Sequence, residues 1–165
     1  MKINLTDLFN GSESRQEIDC KVDLSDLEYS GYHPIKDGVS VKGAVYTRAD
    51  VVHLELKLSF MFNGFCDRCA EETVKEFIVP VEKIVVSELQ NKDDDSYILV
   101  ENHSLDLDEL VNEEVSLSLP GKFLCNDDCK GLCQKCGANL NVKKCDCKSD
   151  VDPRMEALLQ LLDEE

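Results

Sequence analysis

The chain has 165 residues, of which 42% are hydrophobic and 32% charged, and its formal net charge is −16 at pH 7. This length accommodates one domain with a real core, or one domain with a small appended module. The negative charge disfavours broad binding to nucleic-acid phosphates and favours basic partners. The first ten residues lack a signal-peptide pattern, and no stretch approaches membrane-spanning length, so we expect a cytoplasmic protein without a membrane partner.

The first thirty residues are predicted to contain two short extended segments. Residues 1–5 form the first, and the second presents Ile18, Cys20, Val22 and Leu24 on one face. On that face Cys20 is expected to be a small buried apolar residue rather than a ligand. Residues 31–38 carry a proline and two glycines, which predicts a loop.

The clearest strand covers residues 52–62, where six apolar residues alternate with mostly polar ones. Ala49–Asp50 marks a turn from a preceding strand over residues 39–45, and residues 77–86 form the next strand. Three consecutive strands with short turns predict an antiparallel meander or a partly closed sheet. Residues 97–100 are read as an edge strand.

Two helices are predicted in the second half of the chain. After a charged loop at residues 91–95, Asp106 and Glu109 have the spacing of a capping box. The helix that they open ends before Pro120–Gly121, and its apolar face is expected to pack on the sheet. That face comprises Leu107, Leu110, Val111 and Val115. Asp152–Pro153 fits the start of a last, short helix.

Eight of the nine cysteines form four close pairs, which are the strongest functional signal in the sequence. The pairs are Cys66 and Cys69, Cys125 and Cys129, Cys133 and Cys136, and Cys145 and Cys147. They supply two complete sets of four thiolates, the ligands of two closed tetrahedral zinc sites. Closed sites have no open coordination position, so we expect two structural zinc ions. No phosphate-binding loop or hydrolase motif is present, and we expect neither an enzyme nor a small-molecule substrate.

The sequence leaves two partitions of these sulfurs open. The more local partition groups Cys133 and Cys136 with Cys145 and Cys147, and Cys66 and Cys69 with Cys125 and Cys129. Its rival groups Cys125 and Cys129 with Cys133 and Cys136, and Cys66 and Cys69 with Cys145 and Cys147. Iron–sulfur ligation and thiol redox chemistry are the alternatives to zinc. The first pair lies between strands instead of opening a helix, and the cysteine-rich segment is rich in Lys and Asp, so zinc is preferred.

The cysteine-rich segment also differs in charge from the rest of the chain. The segment from Lys122 to Asp150 contains six lysines and four aspartates, which gives it a formal charge of +2. Because the whole chain has a formal charge of −16, the rest of the chain carries −18. We predict a β-rich α+β domain over residues 1–121 and a zinc-ribbon-like module with a C-terminal helix over residues 122–165. The module offers a candidate contact to RNA. Its residues would be Lys143, Lys144 and Lys148.

The chain resembles the cysteine-rich branch of the bacterial YceD family. The likeness lies in Cys66-x2-Cys69 after a long strand, the helix sequence over residues 105–114, the string from Leu124 to Asn141, Cys145-Asp-Cys147 and Asp152-Pro-Arg154. The resemblance implies a non-enzymatic role in the accumulation of large-subunit ribosomal RNA, and hence in ribosome assembly. With the acidic charge, it leads us to expect a ribosomal protein or a large-subunit precursor as partner. A direct RNA-binding zinc-ribbon protein and a thiol redox protein are the alternatives.

Overall fold

The computed structural model describes residues 1–87 and 96–147. The elements in chain order are β1 (Lys2–Asn4), α1 (Thr6–Phe9), β2 (Arg15–Val22), β3 (Val39–Arg48), β4 (Val51–Phe65), β5 (Glu72–Val86), β6 (Tyr97–Leu99), β7 (Ser104–Asp106) and α2 (Leu107–Ser118). The predicted loop at residues 91–95, the predicted helix from Asp152 and the side chain of Lys148 lie outside the described residues. Within the described ranges, neither helix is long and apolar enough to cross a membrane.

Five strands form one sheet in the order β2-β3-β4-β5-β6. Strand β3 pairs antiparallel with both β2 and β4, as the predicted meander requires. Strand β6 instead runs parallel to β5, with Ile84 opposite Tyr97, so the sheet is mixed rather than wholly antiparallel. Among the described strands the order is open at β2 and β6, so it does not show the partial closure that was expected. Side-chain alternation reports the buried face of a strand and carries no information on its neighbour's direction.

The core lies on one face of this sheet, and β4 supplies its longest row of side chains. All six apolar residues predicted for β4 are at most 5% exposed. Phe62 is fully buried, with its ring centroid 4.7 Å from that of Phe123, 5.2 Å from that of Tyr29 and 5.5 Å from that of Phe77. Edge and tilted contacts of this kind add to the stabilisation that burial of the rings provides.

Helix α2 follows the predicted pattern closely. The side chain of Asp106, its N-cap, accepts a hydrogen bond from the N–H of Asp108 at 3.2 Å. The four residues of the predicted apolar face are all buried. A half-buried ion pair joins the helix to β5, with Lys83 Nζ 2.8 Å from Glu114 Oε1. The helix therefore closes over the sheet through apolar packing and one charged contact.

The N-terminal segment contains features that the sequence pattern does not predict. Strand β1 pairs antiparallel with β7 in a separate two-stranded sheet, with Ile3 opposite Leu105. The single-turn helix α1 buries Leu8, and four residues are too few to produce a visible helical periodicity. Cys20 is half-buried rather than fully buried and packs against the core. Its burial raises the pKa of the thiol, which keeps it protonated.

The chain divides into two compact units. The first comprises residues 1–64 and 72–123, and the second joins residues 65–71 to the cysteine-rich segment from residue 124 onward. The connection between β4 and β5 thus belongs to the second unit, although it lies far from that unit's other residues in sequence. The boundary proposed after residue 121 stays a prediction.

The turn between β3 and β4 generates a stability prediction. Ala49 and Asp50 have φ values of 50° and 62°, the left-handed conformation of a type I′ turn. Because alanine in this region is strained by its Cβ, Ala49→Gly should raise the free energy of unfolding by about 0.5 kcal/mol, net of the added chain entropy. The urea midpoint measures the change. Lys57→Gly, at an exposed position of β4, is the control and should lower the midpoint. A lower midpoint for both variants would contradict the turn assignment.

Candidate metal centre

The structure gathers the eight paired cysteines into two groups of four. The first tetrad comprises Cys66, Cys69, Cys125 and Cys129, and the second comprises Cys133, Cys136, Cys145 and Cys147. Within each tetrad all four sulfur atoms lie within 4.8 Å of one another. This grouping is the more local of the two partitions that the sequence left open. Cys20 belongs to neither tetrad.

The sulfur spacing fits a single tetrahedral ion. The Sγ atoms of Cys66 and Cys129 are 3.7 Å apart, and those of Cys69 and Cys125 are 3.6 Å apart. Metal–sulfur bonds of about 2.3 Å in a tetrahedron imply sulfur–sulfur edges of about 3.8 Å. A disulfide would need a separation of about 2.05 Å. The first tetrad therefore has the sulfur spacing of a tetrahedral metal site, and the second, with its sulfurs within 4.8 Å of one another, could also hold one ion.

The first Cys-x2-Cys pair forms a tight turn in the connection between β4 and β5. The carbonyl of Cys66 accepts a hydrogen bond from the N–H of Ala70 at 2.8 Å, and the N–H of Cys66 donates to the carbonyl of Glu71 at 2.9 Å. Ala70 takes a left-handed φ of 57° to close the turn. The pair lies in a strand connection, whereas a redox Cys-x2-Cys motif opens a helix.

The Cys-x2-Cys pair of the second tetrad repeats this turn. The carbonyl of Cys133 accepts from the N–H of Gly137 at 2.9 Å, and the N–H of Cys133 donates to the carbonyl of Ala138 at 2.8 Å. Gly137 has a φ of 69° at the position that corresponds to Ala70. A glycine adopts this conformation without steric cost, so the second turn forms more readily than the first.

The surroundings of Cys66, the first cysteine of the first turn, favour its thiolate form. Burial raises the pKa of Cys66, but hydrogen bonds from the N–H groups of Cys125, Cys69 and Arg68 outweigh it and lower this pKa to about 6. Hydrogen bonding to Cys129, with burial, raises the pKa of Cys125 to about 12. Without a cation, the Cys125 thiol therefore stays protonated at neutral pH.

The second tetrad has the same electrostatic organisation. The N–H groups of Cys136 and Lys135 lower the pKa of Cys133 to about 6. The pKa of Cys147 is raised to about 12, first through its hydrogen bond to Cys136 and then through burial. Four thiolates coexist in such a group only when a positive ion compensates their charge. The donor chemistry of both tetrads thus fits a metal cation.

Asn141 supports the first tetrad from outside the set of sulfurs. Its Nδ2 donates to Cys129 Sγ at 3.2 Å, and its Oδ1 accepts from the N–H of Lys130 at 2.8 Å. Burial opposes ionisation of Cys129, but the Asn141 hydrogen bond and others lower the pKa of this thiol. Asn139 accepts from the N–H of Asn141 at 2.9 Å and donates to Glu71 Oε1 at 2.7 Å. Hydrogen bonds of this kind orient metal ligands and tune their basicity.

Arg68 links the first turn to the segment that carries Cys129. Its guanidinium donates to the carbonyl of Cys129 at 2.8 Å, and its own carbonyl accepts from the N–H of Leu132 at 3.1 Å. Gly131 has a φ of 74°, and a Cβ there would come within 2.9 Å of the Arg68 carbonyl. A glycine is therefore required where the two backbones approach.

Sequence reasoning missed this supporting shell. The sequence pattern does not mark Arg68, Glu71, Asn139 or Asn141 as supporting residues. The available signal was the two-residue spacing of the asparagines just beyond a Cys-x2-Cys-Gly turn, since Asn side chains satisfy nearby backbone groups in turns. Identifying their partners requires the tertiary structure, because Glu71 and Asn139 are 68 positions apart.

The tetrads differ in solvent access. Cys66, Cys69 and Cys129 are buried and pack together, with Cys125 and Leu124 against them. In the second tetrad, by contrast, Cys136 and Cys147 are exposed. The first centre therefore has a drier surrounding than the second, which strengthens its hydrogen bonds and charge interactions.

The chain combines an α+β unit with a second unit that carries two four-cysteine centres. It is therefore a cysteine-rich protein able to hold two metal ions. The family model described as "Large ribosomal RNA subunit accumulation protein YceD" matches residues 54–162. The chain belongs to the YceD family, which confirms the resemblance predicted from its motifs. The family is named for accumulation of large-subunit ribosomal RNA, and its name describes no enzyme.

Relatives in bacteria and plants share parts of the chain. It is 44% identical over 43 residues to large ribosomal RNA subunit accumulation protein YCED homolog 1, chloroplastic, of Arabidopsis thaliana, a match to 26% of this chain and 13% of that protein. It is 28% identical over 131 residues to the uncharacterized protein YlbN of Bacillus subtilis, covering 75% and 74%. An uncharacterized protein of Mycobacterium tuberculosis is 30% identical over 73 residues, covering 44% and 35%. No solved structure matches the chain.

The hydrogen bond to Cys129 generates a prediction for Asn141. Asn141→Ala removes the donor to the sulfur and the acceptor for the N–H of Lys130, so metal affinity of the first tetrad should fall about tenfold or more. Competition with a chromophoric chelator measures this affinity. Val142→Ala is the matched control, because that neighbouring side chain is 77% exposed. Equal affinities for both variants and the wild type would show that the side chain of Asn141 does not tune the centre.

Proposed function

We propose that this chain is a non-enzymatic factor that supports accumulation of large-subunit ribosomal RNA by binding a ribosomal protein or a large-subunit precursor. The observation that carries the proposal is the gathering of all eight paired cysteines into two closed groups of four sulfurs. A metal with four protein ligands has no open position for substrate or water, which favours a structural role. Membership of the YceD family and the printed names of the plant relatives supply the ribosomal context.

We propose zinc as the ion of both tetrads, with all eight cysteines as ligands. The short sulfur–sulfur distances in the first tetrad suit one tetrahedral ion. An iron–sulfur cluster places several atoms between its cysteine ligands and would spread the sulfurs further apart. Zinc has no redox chemistry of its own, so the ions would hold backbone segments together rather than transfer electrons.

The acidic charge of the chain supports a basic protein partner over nucleic acid. The formal charge of −16 repels phosphates at long range and attracts proteins rich in lysine and arginine. Such an encounter is electrostatically steered, and its rate falls as salt screens the charges. A ribosomal protein, free or on a precursor particle, is a basic partner, as the acidic charge favours, and it belongs to the ribosome, as the family's name implies.

Direct RNA binding through the second unit is the other candidate function. It is favoured by the exposure of Lys143 and Lys144, which lie next to Cys145 of the second tetrad. With Lys148 they form a basic stretch in an otherwise acidic chain. Against this candidate, two tetrathiolate zinc centres would each add a formal charge of −2 to the same unit.

Metal content tests the assignment of the tetrads. Protein purified without a histidine tag should carry two zinc ions per chain by elemental mass spectrometry. Cys66→Ser and Cys133→Ser should each remove about one ion, because each variant loses one of the four ligands of one tetrad and keeps the other tetrad complete. Cys20→Ser is the control and should retain both ions. Iron with acid-labile sulfide, or one ion lost from Cys20→Ser, would contradict the assignment.

Depletion tests the function itself. Loss of the protein should lower large-subunit ribosomal RNA relative to small-subunit RNA, and wild-type protein should restore the ratio and sediment with large-subunit precursors at low salt. Restoration by a Lys143→Glu, Lys144→Glu, Lys148→Glu triple variant favours a protein partner, whereas its failure with lost RNA affinity favours direct RNA binding. An unchanged RNA ratio, with no ribosomal protein co-purified, would refute the proposal.

A further inference from the structure

The outer face of β4 and β5 carries an apolar patch within the first unit. The patch comprises Met61, Val74 and Ile78, which are 40%, 50% and 51% exposed. On the inner face, the rings of Phe60 and Phe77 stack with centroids 5.6 Å apart, so these two residues lie next to each other on the neighbouring strands β4 and β5. Because successive side chains alternate between faces, Met61 lies on the outer face beside the positions that flank Phe77.

Carboxylates flank the β5 side of this patch. Along the outer face of β5, Glu72 and Glu76 alternate with Val74 and Ile78, and all four side chains are exposed. Every charged residue that β5 presents on this face is a glutamate. Among the described residues, neither Glu72 nor Glu76 forms an ion pair. The β5 part of this face therefore combines exposed apolar side chains with negative charge, while the outer face of β4 also carries the exposed Lys57, four positions before Met61.

We propose that this face is the docking surface for a segment of a basic protein. The apolar side chains of that segment would cover Met61, Val74 and Ile78, and its lysines or arginines would pair with Glu72 and Glu76. This inference rests on the proposed function and assigns to it the surface that binds the basic partner. The glutamates disfavour RNA through their charge, and they disfavour a second copy of this chain, since a symmetric pairing brings like charges together.

The first experiment maps the contact. A photo-crosslinking phenylalanine analogue replaces Met61 in the full-length protein, and the probe is the mixture of proteins extracted from purified large ribosomal subunits of the source organism. The expected product is a crosslink to a lysine- and arginine-rich protein, identified by mass spectrometry. The same analogue at Glu113, an exposed position of α2, is the control and should give no such product.

The second experiment measures affinity for the crosslinked protein after its purification. Glu72→Lys/Glu76→Lys should weaken binding tenfold or more, and Val74→Thr/Ile78→Thr should do so without a change in charge. Glu109→Lys/Glu113→Lys makes the same charge change on α2 and should alter affinity less than twofold. Retained zinc and unchanged circular dichroism verify that the variants are folded.

The outcomes separate this surface from the proposed function. If a ribosomal protein binds the wild type and both patch variants equally, the surface assignment is wrong while the function stands. If the analogue at position 61 crosslinks to a second copy of the chain, or to RNA, the proposal of a basic protein partner is wrong. If no ribosomal protein binds the wild type and depletion leaves ribosomal RNA unchanged, both proposals fail.

Discussion

The repulsion among four thiolates within 4.8 Å is the constraint on which the cysteine-bearing unit depends. Two unit charges about 4 Å apart repel by about 4 kcal/mol at an effective dielectric constant of 20. The chain offsets part of this cost with backbone N–H groups, which lower the pKa of Cys66 and of Cys133 to about 6. The remaining negative charge requires a cation. Metal binding and the local fold of this unit are therefore one energetic event.

The same turn serves both tetrads, but their supports differ. Arg68, Asn139 and Asn141 hold the first tetrad through side-chain and backbone hydrogen bonds, and three of its sulfurs are buried. Two cysteines of the second tetrad are exposed, and its turn has a glycine at the left-handed position. Local chain conformation therefore contributes more to the second centre, and tertiary contacts contribute more to the first.

Local regularities explain why much of this molecule is predictable from its sequence. The alternation along β4, the capping residue Asp106 and the apolar face of α2 each involve residues a few positions apart, and the structure agrees with all three. The parallel direction of β6, the pairing of β1 with β7 and the partner of Asn139 depend on residues distant in sequence. The cysteine pairs are visible as motifs, yet spacing alone allows more than one partition, because the first tetrad joins Cys66 to a residue 63 positions away.

The 63 positions between Cys66 and Cys129 matter during synthesis, because the ribosome makes the chain from its N-terminus. The first tetrad takes ligands 56 and 63 positions apart, so closing it restricts a long loop that includes β5, β6, β7 and α2. The second tetrad draws on one short segment and closes a much smaller loop. While the chain is incomplete, Cys66 and Cys69 are two ligands without their partners, even after the strands that flank them have been synthesised. A filled first tetrad therefore distinguishes a chain extended past Cys129 from an unfinished one.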